Sequence, residues 1–431
     1  MATMNPFKRF DQNDEIKYIL WDGFQSLKHY LYRIEYDLLD YEHRKISWTF
    51  SMVKRAIFTT LNGWITILYL IGYLIWPHND YLISIDTLDE ILRSKRNDFL
   101  IILMIIIFIL REYLFNQFLQ QFLSYKLTLN DFLIKYWHYD DKELPCQNRN
   151  YLIRFYRKLH FISIISYRIF SIGLLVVDFI FGYFCYHLYE SGQITLMKFI
   201  ISWTLYTSYI YQCIYIVGDS FMSLSFIVFI MEFFRIRLKQ LSIQSMIIFE
   251  KSFESLNKER KALWYQFHSE YIALYYETAK LNSTLRNLLF VLELMSKSIV
   301  VICLLFYSHQ TKMNLQNTLV TFLLISLFCL INGLYFRIAN MSSYNRICWL
   351  SIHRWIAQSQ WLGLKQNKSA NRLPLRYSLK SRLFVQVMTN NQFGFTSGRI
   401  FFITKFKYIQ LFILNFHMAI KFYKKVCMSK T

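Results

Sequence analysis

Seven charged side chains sit inside otherwise apolar stretches of this chain: Arg111, Glu112, Arg168, Asp178, Asp219, Glu293 and Lys297. An ion in hydrocarbon is costly, so such residues turn toward protein or water, where they pair or line a path. Glu293 and Lys297 are four apart and can pair on one helix face. For Arg111, Glu112, Arg168, Asp178 and Asp219 two readings stand open. They pair between helices as structure, or they line a polar, water-filled cavity for a substrate or ligand. Other chemistry is not spelled out. The ten histidines are scattered, and none pairs at i, i+4. No H-E-x-x-H, phosphate loop or G-x-S-x-G occurs. The expectation is a chain that is not an enzyme, with no metal and no cofactor.

Aromatic residues are the second resource, with 32 Tyr, 40 Phe and 10 Trp. Trp64, Trp76 and Trp203 suit interfacial belts. Tyr183, Tyr186, Tyr206, Tyr209 and Tyr211 cluster in two neighbouring apolar stretches. An aromatic-lined concavity with a few polar groups is what a small organic ligand needs. The candidate ligand-binding residues are therefore Asp178, Tyr183, Tyr186, Tyr206 and Tyr209. The last apolar stretch, Tyr408–Tyr423, is unusually polar, holding Gln410, Asn415, His417 and Lys421. Within it Leu411, Asn415, Met418 and Phe422 follow helical spacing. If copies of this helix met on a symmetry axis, that stripe could line a narrow pore, closed by apolar side chains and wetted by polar ones. Otherwise it is a polar-faced helix packed within one subunit.

These residues need a membrane scaffold to position them. Of 431 residues, 55% are hydrophobic and 18% charged, against about 25% charged in soluble domains. Gly (11) and Pro (4) are scarce, and the apolar runs do not alternate as barrel strands do. In lipid that leaves helices, each needing about 20 mostly apolar residues. Seven spans are expected: 56–79, 99–119, 162–187, one starting at 199 and running to 218 or on to 233, 288–307, 315–336 and 408–422. The stretch 199–233 is long enough for one helix or two spans. The fold class is thus all-α, a polytopic membrane protein with long cytoplasmic helical extensions. The seven cysteines show no metal spacing and read as small buried hydrophobes.

Orientation follows from the basic residues. Segments 1–55, 120–160, 235–287 and 337–400 carry 9, 7, 9 and 10 Lys or Arg. The alternating segments 80–98, 188–198, 308–314 and the tail past Ile420 carry 3, 1, 1 and 4. The N-terminus is therefore expected in the cytoplasm and the C-terminus outside. The net charge of +21 flanks the spans instead of forming a tract, so no nucleic-acid partner is expected. The organisation reads as 1–55, a cytoplasmic amphipathic segment; 56–234, spans one to four; 235–287, a cytoplasmic helical extension; 288–336, spans five and six; 337–400, a basic cytoplasmic segment; 401–423, the last span; 424–431, an external tail. In 1–55 the stripe Ile16, Leu20, Leu27, Leu31, Ile34, Leu38 marks an interfacial or packed helix. The apolar series in 233–275 fits helices lying on the bilayer or a bundle joining subunits. The sequons at Asn282, Asn340 and Asn367 fall in cytoplasmic segments and are expected to carry no sugar.

Seven spans, an inside N-terminus, long cytoplasmic helices and a tail just past the last span resemble the arthropod gustatory and olfactory receptor superfamily. Phe393-Gly-Phe-Thr-Ser-Gly-Arg-Ile-Phe-Phe-Ile-Thr404 is similar to the Phe-rich turn before the last span of gustatory receptors. That family ends on Thr-Tyr, five hydrophobics and Gln-Phe. Here the positions read Asn415-Phe416 and Phe422-Tyr423, so Phe422 stands where the family has its pore glutamine. The resemblance implies a ligand-gated cation channel of four subunits in the plasma membrane, as homo- or hetero-tetramer, opened by a small tastant or odorant. It implies that Asn415 and Met418 line the conduit, that Phe422 and Tyr423 form the outer gate, and that the ligand sits among spans two to six. The alternative is a secondary transporter or orphan multi-pass receptor with a polar cavity in those spans.

Overall fold

The computed structural model describes residues 12–46, 48–75, 98–137, 144–250, 257–308, 315–365, 375–390 and 393–427. Almost all of these are helical. In order they form α1 (Gln12–Ser26), a π turn (Leu27–Tyr32), α2 (Leu38–Glu42), α3 (Phe50–Ile75), α4 (Asp98–Leu123) and α5 (Thr128–Trp137). There follow α6 (Cys146–Glu190), α7 (Leu196–Gly218), a second π turn (Asp219–Ser223) and α8 (Leu224–Glu250). The chain closes with α9 (Asn257–Ser308), α10 (Leu315–Lys365), α11 (Leu375–Asn390), a two-strand ribbon (β1 Thr396–Ser397, β2 Phe401–Phe402) and α12 (Lys405–Cys427).

Six of the seven expected spans fall within helices; of 56–79, residues 56–75 lie in α3 and 76–79 lie outside the described residues. Among the described residues, five stretches are long and apolar enough to cross a bilayer: Phe50–Ile75, Ile101–Leu123, Cys146–Glu190, Leu196–Glu250 and Thr321–Gln358. Expected spans five and seven fall in α9 and α12. The ambiguity over 199–233 resolves to one continuous helical run through α7, the π turn and α8. The expected boundaries at 55, 234, 287 and 336 all lie inside helices, because the extensions continue the spans without a break.

Local chemistry explains the ends. Pro145 precedes α6, where its missing N–H is harmless. Thr195 caps α7 through its hydroxyl, which accepts the Lys198 N–H at 3.4 Å. Between them Gly192 takes φ +73°, the left-handed turn that ends a helix most cheaply as glycine.

Contacts divide the chain into two compact units: Met1–Phe229, Val291–Leu330 and Asn415–Thr431 form one, Ile230–Phe290 and Ile331–Leu414 the other. In the first unit Ile67 and Leu70 of α3 pack with Ile105 and Phe108 of α4. Phe181 and Cys185 of α6 pack with Tyr206 and Ile210 of α7. All six stripe residues from Ile16 to Leu38 are buried, so the N-terminal segment is a packed element and not a free surface helix. In the second unit α9, α10 and α11 share an aromatic core. Trp264 meets Trp355 and Phe384 with ring centroids 5.2 and 5.6 Å apart. The Tyr271 hydroxyl donates to the Asn345 carbonyl oxygen at 2.7 Å.

Candidate ligand site and pore helix

Three of the intramembrane charges of the first unit, Arg111, Glu112 and Asp219, join Arg33 in one network of ion pairs. Arg33, from the π turn region of the N-terminal segment, places Nη1 3.0 and 3.1 Å from the two Glu112 oxygens on α4. Its guanidinium also lies over the Phe115 ring, 4.5 Å from the centroid. Arg111 turns the other way. Its Nε donates to Asp219 at 3.3 Å, and its Nη1 donates to the Gln212 carbonyl oxygen. Gln212 Nε2 in turn donates to the Thr59 carbonyl at 2.8 Å. The adjacent pair Arg111–Glu112 is thus not mainly a local pair; their closest approach is 3.9 Å, and each has a better partner elsewhere. Asp219 opens the second π turn, a helix irregularity that leaves side chains aimed where a regular helix would not.

The remaining charges separate. Arg168 is exposed on α6. Asp178, also on α6, accepts the Thr207 hydroxyl of α7 at 3.1 Å. Glu293 and Lys297 pair at 2.8 Å, as their spacing predicts.

The candidate ligand residues fall into two sets. Tyr206 is buried, its ring 4.1 Å from Phe181, and it meets Tyr209 at 6.1 Å. Tyr209 also lies edge-on to Phe108 of α4. Asp178 is bonded to Thr207, the neighbour of Tyr206. Tyr206 and Tyr209 therefore share one zone between α4, α6 and α7, while the Asp178–Thr207 bond lies at the exposed edge of the α6–α7 seam. Tyr183 and Tyr186 do not join it: they are 66% and 50% exposed on the outward face of α6. Seams between α3 and α7 add polar groups nearby. Asn62 Nδ2 donates to the Ser208 carbonyl at 3.2 Å, and the Thr66 and Ser208 hydroxyls are 3.2 Å apart.

On α12, Asn415 is only 4% exposed, and its carbonyl oxygen has no hydrogen-bond partner among the described residues. Leu411 and Met418 are half-buried on the same stripe. Phe422 and Tyr423 belong to the helix, but their side chains lie outside the described residues. The Phe-rich segment before α12 folds into the ribbon, with Thr396 opposite Phe402 and Ser397 opposite Phe401. Gly398, at φ +59°, makes its turn and donates its N–H to the Arg286 carbonyl of α9 at 2.8 Å. Asn282 of α9 accepts the Thr396 N–H at 2.9 Å.

Sequence reasoning missed Arg33 and Gln212. Arg33 sat in a segment dense with basic residues, and only its place two residues past Leu31 in the buried stripe could have singled it out.

The architecture is that of a polytopic α-helical membrane protein. Among solved structures it is similar to the insect olfactory receptor OR5 from Machilis hrabei in complex with eugenol. The match has a TM-score of 0.54 and 10% identity, and covers 96% of this chain and 100% of the other. The chain therefore has the insect olfactory receptor fold. No family model and no curated protein matches its sequence.

Proposed function

We propose that this chain is a subunit of a chemosensory, ligand-gated cation channel, closer to gustatory than to olfactory receptors in its Phe-rich turn. The observation that carries the reading is the whole-chain fold likeness to an insect olfactory receptor; Asn415 adds a buried amide with an unsatisfied oxygen on the unusually polar last helix. Buried orphan polar atoms are rare and call for a partner or water. Four copies of α12 around an axis would line the pore, with Leu411 and Met418 as apolar constrictions, Asn415 as the polar group between them, and Phe422 and Tyr423 as the gate. The whole-chain fold likeness to an insect olfactory receptor supports this arrangement.

The ligand is a small, largely apolar molecule held between α4, α6 and α7. Tyr206 and Tyr209 supply ring surface and Asp178 with Thr207 a polar anchor. Gating is a population shift: the ligand binds the open arrangement better and draws the four last helices apart. The N-terminus lies in the cytoplasm of a plasma-membrane protein, and the channel is a homo-tetramer or a hetero-tetramer. Because Arg33, Glu112, Arg111 and Asp219 neutralise one another, they favour a structural role over a transporter's substrate cavity.

The test is electrical. The full chain, delivered to the surface of a cell, is challenged with a panel of tastants under voltage clamp. Ligand-evoked cation current is expected, with Tyr206→Ala shifting the dose response at unchanged surface amount. A surface-delivered chain that never conducts, and in which Phe422→Ala opens no leak, defeats the proposal.

A further inference from the structure

The outward face of α6 has a composition that bulk lipid contact does not explain. Helical geometry, at 3.6 residues per turn, places Arg154, Lys158, Phe161, Ile165, Arg168 and Ile172 on one face. All six are exposed, Phe161 and Ile172 by more than half. Arg157, beside them, is exposed too. The opposite face of α6 carries the buried residues Leu152, Ile153 and Tyr156, and there Tyr156 donates to Asp22 of α1 at 2.6 Å. The helix is thus docked on one side and open on the other.

Charge along the open face is graded. Arg154, Arg157 and Lys158 cluster toward its N-terminal end, and Arg168 stands alone about 15 Å farther along, ten residues at 1.5 Å each. Arg168 has no hydrogen-bond or ion-pair partner among the described residues. The two acids of α6, Asp178 and Glu190, both lie toward the other end. A lone exposed arginine amid isoleucines is expensive in hydrocarbon unless its head reaches an anion or water. Side chains on a helix lean toward its N-terminus, so Arg168 points down the face toward the basic cluster. Its long stem can lie on Ile165 while the guanidinium snorkels to the interface.

We infer that this face of α6 seats an anionic phospholipid of the cytosolic leaflet. Arg168 and the Arg154–Lys158 cluster hold its phosphate and headgroup, and Phe161, Ile165 and Ile172 carry an acyl chain. The planar guanidinium suits a phosphate oxygen pair. The leaflet assignment rests on the topology proposed above; the site itself does not depend on channel activity.

The full chain, purified in detergent, is mixed with phosphatidylserine and phosphatidylcholine in equal amounts, and retained lipid is counted by native mass spectrometry. Preferential retention of phosphatidylserine is expected. Arg168→Gln lowers that preference about fivefold, the weight of one cation near an anionic surface, whereas Arg168→Lys keeps most of it. The triple variant R154Q/R157Q/K158Q abolishes it. Unchanged melting temperature separates these effects from misfolding. Equal retention of both lipids by the native chain, or an unaltered preference in the folded Arg168→Gln and triple variants, overturns the site. So does efficient disulfide cross-linking of Ile165→Cys between two copies, which would make the face a subunit contact. A chain that fails to conduct but prefers phosphatidylserine removes the channel reading and leaves the lipid site standing.

Discussion

Arg33 and Glu112 are 79 positions apart in the chain, yet one guanidinium nitrogen bonds both carboxylate oxygens of its partner, at 3.0 and 3.1 Å. Their side chains are 1% and 5% exposed. This pair fastens the N-terminal segment to α4. Removing one member leaves a buried charge unpaired, which typically costs about 3–5 kcal/mol. Arg33→Met and Glu112→Leu should each strongly destabilise the protein, and the double variant should recover much of the loss. Thermal unfolding of the four proteins in detergent, read as a double-mutant cycle, checks this; additive losses would refute it.

Gly218 and Tyr30 give a second test. A Cβ at Gly218 would come within 2.1 Å of the Tyr30 ring, and Tyr30 packs on Tyr167 and Tyr215. Gly218→Ala therefore forces the N-terminal segment to shift, at a cost of about 1–3 kcal/mol for an overpacked site. Adding Tyr30→Ala should relieve the clash. Protease cutting between α1 and α3, faster in Gly218→Ala and slowed again in the double variant, is the expected pattern.

His268 makes part of the second unit sensitive to pH. Burial first, and the nearby Lys380 charge second, lower its pKa below the ordinary 6.5. Its ring sits 4.3 Å from Phe384 and 5.9 Å from Trp264. The folded form then holds the histidine neutral while the unfolded chain takes up the proton sooner, so stability is full above 6.5 and declines as pH falls below it. Melting of His268→Phe should lose that acid-side slope. An identical slope in both proteins would show that other groups set it.

Asn415 bears on conduction. Asn415→Leu should reduce evoked current more than it reduces surface amount, because it removes the polar group that hydrates the open conduit. Asn415→Asp should raise cation current. Single-channel recording distinguishes a changed conductance from a changed number of channels. If both variants conduct like the parent, Asn415 lies away from the pore.

The helical, membrane-spanning character of the chain was legible because hydropathy runs are dictated by the thickness of the bilayer. Glu293 and Lys297 paired as predicted because i, i+4 neighbours are fixed by helix geometry alone. The burial of Ile16, Leu20, Leu27, Leu31, Ile34 and Leu38 was readable as one stripe for the same reason. What could not be read was partner choice across distance. Glu112 looked like the partner of Arg111, its neighbour, but adjacent residues on a helix point about 100° apart, and tertiary packing handed Glu112 to Arg33. Tyr183 and Tyr186 illustrate the limit from the other side. They lie close in sequence to the buried Phe181 and Cys185, yet the helix turns them outward. Composition marked the aromatic zone, and only rotation about the helix axis decided which of its rings face α7.

The ribbon before the last helix has a practical consequence. Asn282 and Arg286, one turn apart on α9, hold Thr396 and Gly398 by their backbone N–H groups, and α12 starts only a few residues later, where the Thr404 hydroxyl accepts the Lys407 N–H at 3.2 Å. With so little slack, the root of α12 must travel with α9 as one piece. Residues inserted between Phe402 and Lys405 should uncouple the two.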